Sequence, residues 1–351
     1  MVNIGILGFA HGHIAAIAGE WLKHPEYGVQ LVCGWDHDET RRKKSCADFA
    51  LEEAASAEEL VTRADIDAVI ITAETAYHAS LAAMAANAKK QVILYKPMAL
   101  TLAQADSIVD AVKQNKVPFT LAWQMRVDPV NLEIKELIDS GTMGKPYFFR
   151  RRHCLGMHNN PDFKNMWHTD EKLNRDIFAD DSAHAVDWLC SLFGVPETVS
   201  CELSTMHQPE VKNDTGLALF KYQNGLIVEM MFSSCCAAAE ITSEGYFEHG
   251  ALQQYGGDGP ATRLPHENQP ALKWFVEGDD NWRLSKTPLP AGQWNRIKDQ
   301  AKPLADFLNG LRPSLCSAEE ARDSLRMVLA CYLSAREGAK VRIDDERVYE
   351  I

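Results

Sequence analysis

The sequence predicts an α/β protein: a doubly wound parallel sheet over residues 1–122, then an α+β domain with a mostly antiparallel open sheet over residues 123–351. Three observations carry this. Short apolar runs alternate with helical patterns of ten or more residues up to Trp123, the grammar of βαβ units. Beyond Trp123 the strand-like segments follow one another directly, with turns such as Gln223-Asn224-Gly225. With 351 residues there is chain enough for two cores.

Residues 3–8 form a first strand ending in glycine, and 14–22 have the apolar spacing of a helix. A second strand, 29–35, ends in Asp36; a charged helix from about Thr40, a short strand near Leu51 and a helix at 57–63 follow. The β-branched run 68–72 reads as a buried parallel strand. Helix 75–88, strand 91–95, helix 102–115 and strand 118–123 complete the first domain. The second opens with helix 129–139 and a strand at 146–152, followed by a polar, aromatic loop to Arg175. Helix 182–193 and strands 198–206, 215–222 and 226–234 come next. The Gly-, Pro- and Asn-rich segment 253–295 predicts loop with short strand pieces. Helices 300–311 and 317–334 close the chain, the latter with capping-box spacing at Ser317-Ala318-Glu319-Glu320.

A formal net charge of -13 argues against nucleic-acid or anionic-membrane partners, which reward a positive surface. Eighteen consecutive apolar residues occur nowhere, and the N-terminus lacks a basic leader, so a cytoplasmic protein is expected. Nine scattered cysteines without a C-x-x-C pair predict thiols, not disulfides.

Gly8-Phe9-Ala10-His11-Gly12-His13 occupies the turn between first strand and first helix, where a G-x-G-x-x-G fingerprint would place glycines at 8, 10 and 13. Only Gly8 matches, yet a helix N-terminus there still offers amides and a positive dipole to a pyrophosphate. His11 or His13 could add a donor. Asp36 is placed to take the adenosine ribose hydroxyls and to repel a 2′-phosphate, which favours NAD over NADP; the competing reading is a helix N-cap. Lys96-Pro97 puts an ammonium at the C-terminal end of a parallel strand, with Pro97 restricting the backbone of Lys96. In the second domain Asp180 and His184 share a helix face, and a carboxylate beside a histidine suits proton transfer from a hydroxyl. A metal site joining Asp180 and His184 to His153, His158 or His168 is the lesser alternative, since no ligand spacing is fixed.

These motifs, with His78, Gln124-Met125-Arg126-Val127-Asp128-Pro129, Asp187, Asn224-Gly225 and Ala335-Arg336-Glu337-Gly338, resemble the glucose-fructose oxidoreductase, inositol dehydrogenase and MocA-like (Gfo/Idh/MocA) oxidoreductases over nearly the whole chain. The resemblance implies a Rossmann domain binding NAD through Gly8, Phe9, Ala10, His11, Asp36, Ala73, Glu74, His78, Tyr95, Lys96 and Pro97. It also implies a polyhydroxy substrate bound between domains, catalysis by Lys96, Asp180 and His184, and dimers or tetramers formed through the C-terminal sheet; from the ligand spacing no metal is expected. Arg126, Arg152 and Trp167 are candidates to line the substrate pocket. Three departures stand out: Tyr95 replaces the glutamate of a Glu-Lys-Pro motif, Glu74-Thr75 replaces Pro-Asn, and Asn174-Arg175-Asp176 replaces a glycine-rich stretch. The chemistry expected is oxidation of a sugar or cyclitol alcohol. A redox-neutral glycosidase or lyase and a non-catalytic nucleotide sensor are the alternatives.

Overall fold

The computed structural model describes residues 1–238, 240–258, 270–288 and 292–351. Its first sheet is built from β1 (Val2–Leu7), α1 (His13–Lys23), β2 (Val29–Trp35), α2 (Glu39–Phe49), β3 (Glu52–Glu53), α3 (Ala57–Thr62), β4 (Ala68–Ile71), α4 (His78–Asn87), β5 (Gln91–Tyr95), α5 (Leu102–Asn115) and β6 (Phe119–Ala122). The strands run parallel in the order β3-β2-β1-β4-β5-β6. Chain order reverses between β1 and β4, and at such a switch point the strand C-termini leave room for a ligand. The continuous apolar runs of β4 and β5 are buried on both sides, as helices on both sheet faces require. Side chains of Asp38, Ser56 and Thr101 accept amide hydrogens at the starts of α2, α3 and α5, so each helix begins where its cap lies.

The rest of the chain supplies α6 (Pro129–Asp139), β7 (Pro146–Cys154), α7 (Ala183–Phe193), β8 (Thr198–Ser204), β9 (Thr215–Lys221), β10 (Ile227–Ser233), β11 (Glu240–Phe247), β12 (Gly250–Asp258), β13 (Leu272–Val276), β14 (Arg283–Leu284), α8 (Gln293–Lys298), α9 (Ala301–Leu308), α10 (Ala318–Glu337) and β15 (Val341–Arg342). The second sheet has the order β14-β13-β12-β11-β7-β10-β9-β8-β15. Its pairings are antiparallel except β7 with β10. Val228, Met230 and Phe232 of β10 turn to the buried face, where Phe149 meets Phe193 of α7 at 5.2 Å and Phe232 meets Phe178 at 5.6 Å.

Two strands went unpredicted, β11 and the start of β12. The inward positions of β11 are Ile241, Ser243, Gly245 and Phe247, so its buried face is not uniformly apolar and the alternation is hidden. Gly245 is required because Phe149 and Phe247 fill the space a Cβ would take. The predicted loop at 253–295 contains the end of β12, then β13 and β14, while 259–269 and 289–291 lie outside the described residues. The capping box is present: Glu320 donates its amide to Ser317 Oγ, and the Ser317 amide donates to Glu320 Oε2.

The chain forms two compact units. The first joins Met1–Gln124 to Lys172–Asn174 and Arg296–Leu325; the second holds Met125–Glu171, Arg175–Asn295 and Arg326–Ile351. Trp21 Nε1 donates to the Ala301 carbonyl (2.7 Å), and the Leu121 amide to that of Cys316 (2.9 Å), which ties the late segment to the first sheet. No cysteine forms a disulfide. No helix among the described residues is long and apolar enough to cross a membrane.

Candidate cofactor site and active site

In the first unit the turn after β1 depends on Gly8. Its φ is +85°, and a Cβ there would stand 2.4 Å from the Ala73 Cα, so no larger residue lets β1 pass the segment after β4. The Gly8 amide donates to the Trp35 carbonyl (2.7 Å) and the His11 amide to that of Thr72 (2.9 Å), which pins the turn to both flanking strands. Asp36 is fully buried at the end of β2. Its Oδ2 accepts from the Phe9 amide (2.7 Å) and Arg41 Nε (2.7 Å); its Oδ1 accepts from the Asp38 amide (2.8 Å) and Arg41 Nη2 (2.8 Å). The N-cap of α2 is therefore Asp38, which accepts from the Arg41 amide, and the competing reading of Asp36 falls away. Arg41 Nη2 also reaches Glu74 Oε1 (2.9 Å), a nearly buried carboxylate. Burial disfavours the Arg41 cation, but Asp36 and Glu74 outweigh it and its pKa is raised.

Lys96 is buried at the end of β5, ahead of a cis bond to Pro97. His78, assigned from the sequence to the cofactor, instead has Nδ1 2.8 Å from the Pro97 carbonyl and Nε2 3.1 Å from the Ala73 carbonyl. It clamps the segment carrying Lys96 to the one after β4. Burial pushes its pKa down to about 4 against the pull of both carbonyls, so the ring is neutral and donates to one of them.

Tyr95 also faces inward, almost wholly buried. Gln300 Nε2 donates to its Oη (3.1 Å) and is 3.3 Å from the Ile297 carbonyl, which fixes the sense of the amide. The same Oη lies 2.9 Å from His13 Nδ1, so the phenol hydrogen-bonds to both Gln300 and His13. His11 is buried against both rings, 4.4 Å from His13 and 4.5 Å from Tyr95. Two departures seen in the sequence, histidine at the third fingerprint position and tyrosine before Lys96, are thus halves of one contact. Asn174, from the third, accepts from the Thr75 hydroxyl.

In the second unit Asp180 lies in a π-helical turn, Phe178–Ser182, that runs into α7. Such turns crowd an extra residue into a helix and re-aim its side chains. Asp180 and His184 are buried, and His168 Nδ1 lies 3.1 Å from Asp180 Oδ2. The His153 ring is 6.1 Å from that of His184.

The three predicted pocket residues sit differently. Arg126 forks onto fully buried Asp187 through Nε (2.8 Å) and Nη2 (2.9 Å), an internal ion pair. Arg152 pairs with Glu240 on the open sheet face, because strand alternation turns Arg151 and His153 inward and Arg150 and Arg152 outward. Trp167 stacks on His168 at 3.9 Å. Arg41, Gln300, His153 and His168 were not assigned these roles from sequence. Arg41 had a signal, a basic residue in the first turn after Asp36, whereas Gln300 lies 205 residues from its partner.

Family models place these features. Residues 2–122 match the model described as "Oxidoreductase family, NAD-binding Rossmann fold", and 131–253 match the "GFO/IDH/MocA C-terminal domain". Oxidoreductase P35 of Formosa agariphila is 31% identical over 228 residues, 63% of this chain and 69% of that protein. The chain belongs to the Gfo/Idh/MocA oxidoreductase family. Inositol 2-dehydrogenase of Salmonella typhimurium is 30% identical over 156 residues, 44% of each chain, so this Gfo/Idh/MocA protein matches less than half the length of that relative. Levoglucosan dehydrogenase, solved in complex with NADH, shares the fold with a TM-score of 0.82 at 18% identity, covering 97% of this chain and 99% of that one.

NAD suits the residues of this Gfo/Idh/MocA member: Gly8 keeps the turn open to a pyrophosphate, α1 begins just beyond it, and Asp36 ends β2. Among the described residues no three His, Cys, Asp or Glu side chains are grouped to hold a metal ion.

Proposed function

We propose that this protein interconverts a secondary alcohol and a ketone on a sugar, sugar derivative or cyclitol, using NAD. The observation that carries the reading is buried Asp180 on the π turn and buried His184 in the first turn of α7, with His168 on the carboxylate, in a family that includes an inositol 2-dehydrogenase. Bound NAD supplies the hydride acceptor. His184 takes the hydroxyl proton as the carbonyl forms, Asp180 orients it, and Lys96 donates to the same oxygen as negative charge develops there. Burial of Lys96, Asp180 and His184 favours such roles, since a water-poor setting strengthens each interaction.

Self-association belongs to the same reading, through the open face of the second sheet, where Leu217, Leu219, Ile227 and Tyr246 are exposed. The test is Lys96→Ala assayed for NADH production on a panel of sugars and cyclitols. Turnover should fall by about 10²-fold or more with NAD affinity retained; unchanged turnover would sink the assignment. Product formation without accumulating NADH would favour the redox-neutral alternative.

A further inference from the structure

A carboxylate has about four acceptor positions, and all four on Asp36 are taken: two by the Phe9 and Asp38 amides, two by the Arg41 fork. The ribose hydroxyls that this residue is placed to bind can enter only if a donor leaves. The two amides belong to the turn after β1 and to the start of α2, so the side chain of Arg41 is the donor able to move. A destination is ready. Glu74 already holds Arg41 by Oε1, while its Oε2 is buried and receives no hydrogen bond, with His37 Nδ1 3.7 Å away.

We propose that Arg41 is a two-position residue which NAD displaces: forked on Asp36 in the free protein, and forked on Glu74 once the adenosine ribose occupies Asp36. Arg41 and Glu74 thereby set cofactor affinity through the adenosine half alone. Glu74 acquires a role that its place in the sequence did not suggest, as receiver of a displaced cation. This inference rests on NAD binding and not on the substrate.

Calorimetry with NAD, ADP-ribose and nicotinamide mononucleotide tests it. Arg41→Met keeps the aliphatic stem and should tighten NAD and ADP-ribose about ten-fold, the equivalent of one charge-assisted hydrogen bond no longer broken, with the mononucleotide unchanged. Glu74→Gln should weaken the two adenosine ligands, and should have no effect when combined with Arg41→Met. In the unaltered protein, ¹⁵N-arginine spectra should show the Arg41 Nε–H resonance shifting on saturation with ADP-ribose. Weaker or unchanged binding of ADP-ribose by Arg41→Met, or an unmoved Nε–H resonance, overturns the proposal. Failure of the unaltered protein to bind either NAD or ADP-ribose would instead contradict the cofactor itself.

Discussion

Replacing Tyr95 by phenylalanine keeps a buried ring and removes one oxygen that joins Gln300 to His13. The cost follows from what each neighbour can do afterwards. Gln300 is fully buried, so no water replaces the lost acceptor, though its Nε2 keeps the longer contact to the Ile297 carbonyl. His13 is only half-buried, and solvent can satisfy its Nδ1. One net hydrogen bond and part of one desolvation penalty are lost, about 2 kcal/mol. Urea unfolding is the assay, read at the transition that added NAD moves to higher denaturant, because that transition belongs to the cofactor-binding unit. A cycle with His13→Ala should show about 1 kcal/mol of coupling, since both changes break the same bond. Loss of less than about 0.5 kcal/mol in Tyr95→Phe, or strict additivity of the pair, would refute the chain Gln300 to Tyr95 to His13.

Two further outcomes follow from buried ionisable groups. His78 titrates near its ordinary value of 6.5 when unfolded but about 4 in the fold, so the unfolded chain binds the extra proton first. Its stabilising contribution is whole above pH 6.5 and is lost as pH falls to 4, on the order of 3 kcal/mol, and His78→Gln should flatten that part of the stability profile. Arg126→Ala removes the two-pronged guanidinium contact to fully buried Asp187, and should cost about 3 kcal/mol of stability, measured by urea unfolding. A rise in KM with stability intact would return Arg126 to the substrate pocket.

The first sheet was legible because parallel strands buried on both faces are continuous apolar runs, as in β4 and β5, and because Ser, Thr and Asp caps mark where helices begin. The second sheet was legible only in part. In β7 the run Arg150-Arg151-Arg152-His153 carries no hydropathy difference to say which side faces in, and β11 buries a serine and a glycine. That serine is there for a reason seen only in space: Arg151, fully buried, donates to Ser243 (2.7 Å) and Gln254 (2.8 Å).

Reading along the chain suffices for the two-part α/β and α+β plan, the NAD fingerprint with its departures, and the candidates Lys96, Asp180 and His184. Local propensity, strand period and motif spacing are properties of neighbours along the chain, so they can be read there. Only the fold brings Tyr95 against His13, saturates Asp36 with Arg41, turns His78 to the backbone and pairs Arg126 with Asp187. A side chain's direction and its hydrogen-bond valence depend on partners from remote segments, and those partners meet only when the chain has folded.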